Sequence, residues 1–273
     1  MFIVGDIGGT KTHLALYEEG KKVRDAVYPS GEAKGLEELI GRFLENESID
    51  GGCFGIAGPV VNGEARATNL PWVIRKGSIS KACQGAPVSL INDLEAHAYG
   101  LDPLPSLSMR AIREGSRLGN MALVSPGTGL GIAFLLDQNG EHLPFHSEGG
   151  HAGFSPRNEE EVDLFLYLQE LYGHVSCERV LSGHGIYNLY RFLTDTGRES
   201  PSDRIVDGDG APKEVTERAM QGDPTARRAI DLFVSALGSE CGNTALRGMA
   251  TGGIYVGGGI LPKIESLFRK DLF

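Results

Sequence analysis

Two stretches of this chain repeat one pattern, and few folds can use it twice. Phe2-Ile3-Val4-Gly5-Asp6-Ile7 has the apolar character of a strand, Gly8-Gly9-Thr10-Lys11 is a turn, and Thr12-His13-Leu14-Ala15-Leu16-Tyr17 alternates like a second strand. About 120 residues later, Met121 to Leu136 again gives strand, glycine turn and strand, with Gly127-Thr128-Gly129 at the tip. One glycine-tipped hairpin is commonplace. Two, one in each half, point to a duplicated α/β fold with a nucleotide between the halves. Glycine turns let backbone N–H groups approach phosphate oxygens, and Thr10 and Thr128 add hydroxyl donors. The first turn is neither a Rossmann fingerprint, which leads into a helix, nor a Walker A loop, which needs Gly-x-x-x-x-Gly-Lys-Ser/Thr. Asp6 interrupts the first apolar strand, where a buried, unpaired carboxylate would be costly.

Between the hairpins, Pro87 to Ile91 predicts a short buried strand and Leu94 to Leu101 the start of a helix. Asn92 and Asp93 then fall at the C-terminal end of a strand, where open α/β sheets present their ligands. Asp93 is a candidate general base there, and Asn92 can orient a hydroxyl by donating and accepting. Capping the helix is the plainer use of an Asn-Asp pair. Glu148-Gly149-Gly150-His151 resembles a metal-binding Glu-x-x-His only in spelling, because that motif needs a helix and two glycines oppose one. Its better use is to clasp neighbouring hydroxyls of a polyol, the plain alternative being a loop with an incidental histidine.

Other elements follow from spacing. Leu36 to Leu44 predicts a covering helix, and Cys53 to Val60 a third buried strand ending in a turn. Thr68 and Asn69 beside Trp72 make either a loop anchored by a buried aromatic or a sugar-contacting loop. Pro103 and Pro105 mark a boundary within 102–108, giving domains 1–107 and 108–273. Glu159 to Tyr172 predicts an amphipathic helix with Val162, Phe165, Leu166 and the stretch 168–171 inward. Glu178 opens a helical region through Leu193, where its charge could simply complement a helix dipole. Residues 199–213 predict a surface loop, and Thr225 to Leu246 a long helix with Ala229, Leu232, Phe233, Ala236 and Leu237 inward. A strand then ends in Gly257-Gly258-Gly259, which would let a flat adenine ring lie against backbone, before a short helix from Leu261 to Arg269.

The formal net charge of −10 argues against nucleic-acid binding, which needs a basic stripe. Cys53, Cys83, Cys177 and Cys241 are scattered without zinc spacing and predict free thiols. No secretory leader and no apolar run of ~18 residues is present, so a soluble cytoplasmic protein without a membrane span is expected.

Taken in order, Asp6-Ile7-Gly8-Gly9-Thr10, Ile91-Asn92-Asp93, Gly127-Thr128-Gly129-Leu130-Gly131, Glu148-Gly149-Gly150-His151, Glu178-Arg179-Val180-Leu181-Ser182-Gly183 and Gly257-Gly258-Gly259 resemble the bacterial-type glucokinases. The Glu-Gly-Gly-His and Glu-Arg-Val-Leu-Ser-Gly pieces are specific to that family. The glycine hairpins belong to the wider actin-like ATPase superfamily. The cysteine-rich zinc motif of the related repressor–kinase group is missing.

The resemblance implies a two-lobed actin-like ATPase (ribonuclease H-like) fold with a central cleft. It implies ATP-dependent phosphorylation of glucose, or a similar hexose, at the 6-hydroxyl with magnesium. A kinase for another hexose or amino sugar, or a weakly active sugar sensor on the same fold, are the alternatives. Under it, Asn92, Asp93, Glu148, His151 and Glu178 hold the sugar, with Asp93 as base. Gly8, Gly9, Thr10, Gly127 and Thr128 face the phosphates, and Gly257, Gly258 and Gly259 line the adenosine pocket. Asp6 stands near the magnesium, through water. A homodimer is the expected assembly. Relatives run some tens of residues further and return to the first domain, so an uncovered surface is expected there. Pro126 stands where the family has a small residue and removes one N–H beside the second turn.

Overall fold

The computed structural model describes residues 1–67, 70–101, 109–115, 118–201 and 203–273. Thr68, Asn69 and the expected boundary at 102–108 lie outside the described residues. The chain forms two compact units, Met1–Leu101 and Asp102–Phe273. Each has its own hydrophobic core.

The first unit begins with β1 (Phe2–Ile7), β2 (Lys11–Glu18) and β3 (Lys21–Pro29), followed by α1 (Leu36–Leu44) and β4 (Gly51–Ile56). A small ladder of β5 (Val60–Val61), β6 (Glu64–Arg66) and β7 (Val73–Arg75) precedes α2 (Lys76–Ala82), β8 (Val88–Asn92) and α3 (Asp93–Tyr99). The main sheet has the order β3-β2-β1-β4-β8. β1 is antiparallel to β2 and parallel to β4, and β4 is parallel to β8. One face buries Ile3, Ile7, Leu14, Leu16 and Phe54 with Leu36, Leu39, Ile40 and Phe43 of α1. Trp72 is buried in the same core and donates Nε1–H to the Ala33 carbonyl at 3.3 Å, which is the anchored-loop reading for that residue.

The second unit opens with β9 (Met121–Pro126), β10 (Leu130–Gln138) and β11 (Glu141–Ser147). Its helices are α4 (Glu159–Tyr172), α5 (Gly183–Asp195), α6 (Ala211–Met220) and α7 (Pro224–Gly248), and β12 (Gly253–Val256) closes the sheet. The order β11-β10-β9-β12 repeats the first sheet, since β9 is antiparallel to β10 and parallel to β12. The duplicated hairpin is therefore a duplicated topology.

Helix starts follow the sequence chemistry. Asn158, Ser182 and Asp223 each accept an N–H from the first turn of α4, α5 and α7, and Pro224 occupies the first turn of α7, where no N–H is needed. Ala229, Leu232, Phe233, Ala236 and Leu237 are buried on α7 as their spacing requires.

Two local expectations fail. On α4 Leu168 is buried and Phe165 half-buried as expected, but Glu161 and Leu164 are buried too, whereas Val162, Leu166 and Leu171 are 46%, 52% and 44% exposed. Val162 and Leu166 share a stripe with each other, and the core took the adjacent one. Beyond the glycines, residues 261–269 form short 3₁₀ turns at Leu261–Lys263 and Glu265–Leu267 rather than an α-helix. Pro262 in the first of them withholds an N–H.

Urea unfolding separates the two stripes on α4. Leu168→Ala should lower the unfolding free energy by about 2–5 kcal/mol, as for fully buried leucines, and Leu166→Ala should stay within about 0.5 kcal/mol.

Candidate active site

The C-terminal ends of β1, β4 and β8 share one edge of the first sheet, with Ile7, Ile56 and Asn92 in register across it. Asn92 is the N-cap of α3. Its Oδ1 accepts Leu94 N–H at 2.9 Å and Glu95 N–H at 3.4 Å, and its Nδ2 donates to the Gly58 carbonyl at 3.0 Å. The capping use is therefore real, and it falls on Asn92. The Asn92 oxygen is thereby spent on the helix start, so of the donor–acceptor pair expected of this side chain only its second amide N–H stands outside these bonds.

Asp93 is the first helical residue, and its Oδ1 accepts its neighbour Leu94's N–H at 2.9 Å. Gly55 makes this placement possible. A β-carbon there would press on Ala96 Cβ at 3.2 Å and lie 3.6 Å from Asp93 Cα, so its absence lets the first turn of α3 lie on β4. Asp6 is in register with Gly55 and so approaches Asp93. Burial raises the Asp93 carboxyl above its ordinary value; the Leu94 N–H and His97 oppose this, and the charge of Asp6 adds to it.

Asp6 itself is exposed, on the alternate face of β1 with Phe2 and Val4. The expected burial cost does not arise, and Asp6 is instead a charge presented at the sheet edge. The first glycine turn is held by three bonds. Gly8 N–H donates to Lys11 O at 3.0 Å, Ser30 Oγ–H to Gly8 O at 2.8 Å, and Ser30 N–H to Thr10 O at 3.0 Å. Gly8 thus spends its N–H on closing the turn.

In the second unit the equivalent turn closes through Gly127 N–H to Gly129 O at 2.8 Å. Gly183 N–H, at the start of α5, donates to Gly127 O at 2.8 Å, bringing a helix N-terminus against the turn. Gly257 N–H donates to Val124 O at 2.9 Å, so the glycine run leaves β12 beside the end of β9. Gly127, Thr128 and Gly257 to Gly259 are brought together by these bonds. Pro126 is the last residue of β9, paired with Leu130, so its missing N–H lies in the strand before the turn.

Glu148, His151 and Glu178 also converge within this unit. Gly149–His151 is a 3₁₀ turn, and His151 Nε2 lies 3.8 Å from Glu148 while Nδ1 lies 3.9 Å from Glu178. Both separations exceed a direct hydrogen bond. Glu178 is not at an α-helix start. It sits in the 3₁₀ turn Cys177–Arg179 and accepts the Leu130 N–H at 2.9 Å, one residue beyond the glycine tip. One carboxylate thereby touches the hairpin and faces the histidine. Ser30 carries the first turn without having been singled out in the sequence, whereas Gly183 closes the Glu-Arg-Val-Leu-Ser-Gly piece quoted for the resemblance. The Ser182-Gly183 pair did carry a signal, a capping residue followed by a glycine.

Among the described residues no group of three His, Cys, Asp or Glu side chains could hold a metal ion. No described helix is long and apolar enough to cross a membrane.

A family model described as glucokinase matches residues 3–273. The chain belongs to the glucokinase family. A glucokinase of Nostoc sp. is 37% identical over 304 residues, covering 100% of this chain and 88% of that protein. One of Synechocystis sp. is 34% identical over 309 residues, covering 100% and 87%. The crystal structure of a glucokinase from an Antarctic psychrotroph superposes with a TM-score of 0.84 at 28% identity, over 98% of this chain and 85% of that one. A ROK family glucokinase from Streptomyces griseus, solved with glucose and AMPPNP, shares the fold at 22% identity with a TM-score of 0.59, over 100% and 89%. These neighbours carry the actin-like ATPase fold that the sequence resemblance implies.

The glycines of this family member differ in what they tolerate. A β-carbon on Gly150 would fall on the Leu130 carbonyl, whereas one on Gly127 meets nothing within 4 Å. Thermal or chemical unfolding should show Gly150→Ala destabilised by about 1–3 kcal/mol, the overpacking range, and Gly127→Ala changed by less than about 0.5 kcal/mol.

Proposed function

We propose that the protein is a glucokinase that transfers the γ-phosphoryl group of ATP to the 6-hydroxyl of glucose. Family membership over residues 3–273 is the observation that carries this reading. The residue chemistry of both units supports it. Phosphoryl transfer asks a protein chiefly to position two reactants and to neutralise charge.

In this reading Asp93 is the general base. It takes the proton of the 6-hydroxyl as that oxygen attacks phosphorus. Its raised pKa favours the role, because a stronger base accepts a proton more readily while remaining ionised above that pKa. Asn92 donates its remaining amide N–H to a sugar oxygen. Glu148, His151 and Glu178 contact further sugar hydroxyls. Asn92 is buried and Asp93 and Glu178 are half-buried, and such groups matched to hydroxyls reject sugars lacking them, since the groups are then left unpaired; Glu148 and His151 are exposed and add contacts at the rim.

Thr10 and Gly9 from the first hairpin, and Thr128 with Gly127 from the second, face the nucleotide phosphates. Gly257, Gly258 and Gly259 lie beside the adenosine. Gly8 serves by closing its turn.

Magnesium would accompany the nucleotide. Exposed Asp6 offers the hard oxygen donor that ion prefers, and magnesium commonly uses one or two carboxylates plus phosphate and water rather than a protein cage. The ion would supply charge neutralisation on the phosphates.

Steady-state kinetics with a hexose panel test the assignment. Glucose should be the best substrate. Asp93→Asn should lower kcat by about 10²–10⁴ with a much smaller change in KM for glucose, as a transition-state role requires. Turnover undiminished in Asp93→Asn would remove the base. The same variant should fold at least as stably as the parent at neutral pH. Burial makes the folded state hold the Asp93 proton more tightly than the unfolded state does. Ionisation therefore costs stability as pH rises through the folded pKa, and asparagine avoids that cost.

A pH profile gives an independent check. The acid limb of kcat/KM should lie above the ordinary aspartate value. It should move to lower pH in Asp6→Asn, which removes a charge that raises Asp93.

A further inference from the structure

The turn that carries Glu178 rests on a buried anion in α7. Glu240 is 4% exposed, and a carboxylate out of water is costly unless its lone pairs are met. Arg247 Nη1–H donates to its Oε1 at 2.6 Å, Thr244 Oγ1–H to the same atom at 3.4 Å, and Asn243 Nδ2–H to Oε2 at 3.4 Å. These partners all come from α7 itself. The fourth does not: Cys177 Sγ, from 63 residues earlier in the chain, lies 3.6 Å from Glu240 Oε2 and 3.7 Å from the Gly153 carbonyl, and its one S–H donates to the carboxylate, the charged and nearer of the two acceptors.

Cys177 immediately precedes Glu178, and its backbone is fixed on two further sides. Its N–H donates to Ala152 O at 2.8 Å, and its carbonyl accepts Leu181 N–H at 2.8 Å. Phe154 N–H donates to Val175 O at 2.9 Å, so residues 152–154 run zipped to 175–177 and carry the His151 turn with them. The thiol is held as a donor, because burial, and then the charge of Glu240, push its pKa up to about 12.

We propose that Glu240 is a positioning residue for sugar binding: through Cys177 it fixes the turn that aims Glu178, and through the zipped segments the turn that presents His151. This inference rests on the reading of Glu178 as a sugar ligand. Glu240 touches neither substrate. Its effect is on the placement of groups that do, and small misplacements of such groups carry large penalties.

The experiment compares Glu240→Gln, Cys177→Ala, their combination and Glu178→Gln by steady-state kinetics and thermal unfolding. Glu240→Gln and Cys177→Ala should each raise KM for glucose about tenfold, with kcat and KM for ATP within about twofold of the parent. The double variant should be no worse than the more affected single one, because both changes cut one link. A fall in thermal midpoint with glucose KM unchanged would reduce Glu240 to a structural role and overturn the proposal. So would a parallel loss in all three kinetic parameters. Should Glu240→Gln fail to fold, Cys177→Ala carries the same test, since it leaves the carboxylate with its Arg247 partner. If Glu178→Gln leaves glucose KM unchanged, the sugar-site reading has failed. If Glu178→Gln raises it and the other two do not, only the positioning role has failed.

Discussion

The strand-to-helix junction at Asn92 is the constraint on which the first unit depends. A single carboxamide caps α3 with its oxygen and holds the Gly58 carbonyl with its nitrogen, so the chain can reverse at the sheet edge only in one way. Asp93 follows directly and inherits a fixed position against β4 and beside Asp6. The pull of burial on its carboxyl comes from that position rather than from any special residue. A cap that costs nothing in ordinary proteins here sets the environment of the proposed base.

The second unit solves a different problem with the same sheet order. Its glycine turn, the start of α5 and the glycine run after β12 are stitched by backbone bonds, while Glu178 holds the hairpin at Leu130 and lies 3.9 Å from His151. Backbone bonds of this kind leave little for side chains to specify, which is why so many of the important positions are glycine. Glu178 and Glu240 are exceptions, one carboxylate accepting the Leu130 N–H and the other buried beside Cys177.

Much of this was legible in the sequence, for physical reasons. Leu36–Leu44 and α7 were readable because apolar residues recur at helical spacing. The duplicated hairpin was readable because glycine turns bracketed by apolar strands have few other uses. What escaped depends on tertiary packing. Residues Val162 and Leu166 have the right period for a buried stripe on α4, yet the core took Leu164 alongside the expected Leu168. Pairing of Asn92 with Gly58, of Glu178 with Leu130 and of Cys177 with Glu240 joins residues far apart in the chain, and no local pattern reports it. Asp6 misled because an acid in an apolar strand suggests burial, whereas strand alternation put it on the open face.

A crystal structure of the protein with glucose bound tests the central claim most directly. The expected result is the sugar's 6-oxygen within about 2.6–3.2 Å of an Asp93 carboxylate oxygen, the reach of a general base. A glucose bound with its 6-hydroxyl turned away from Asp93, or held without that residue, would contradict it.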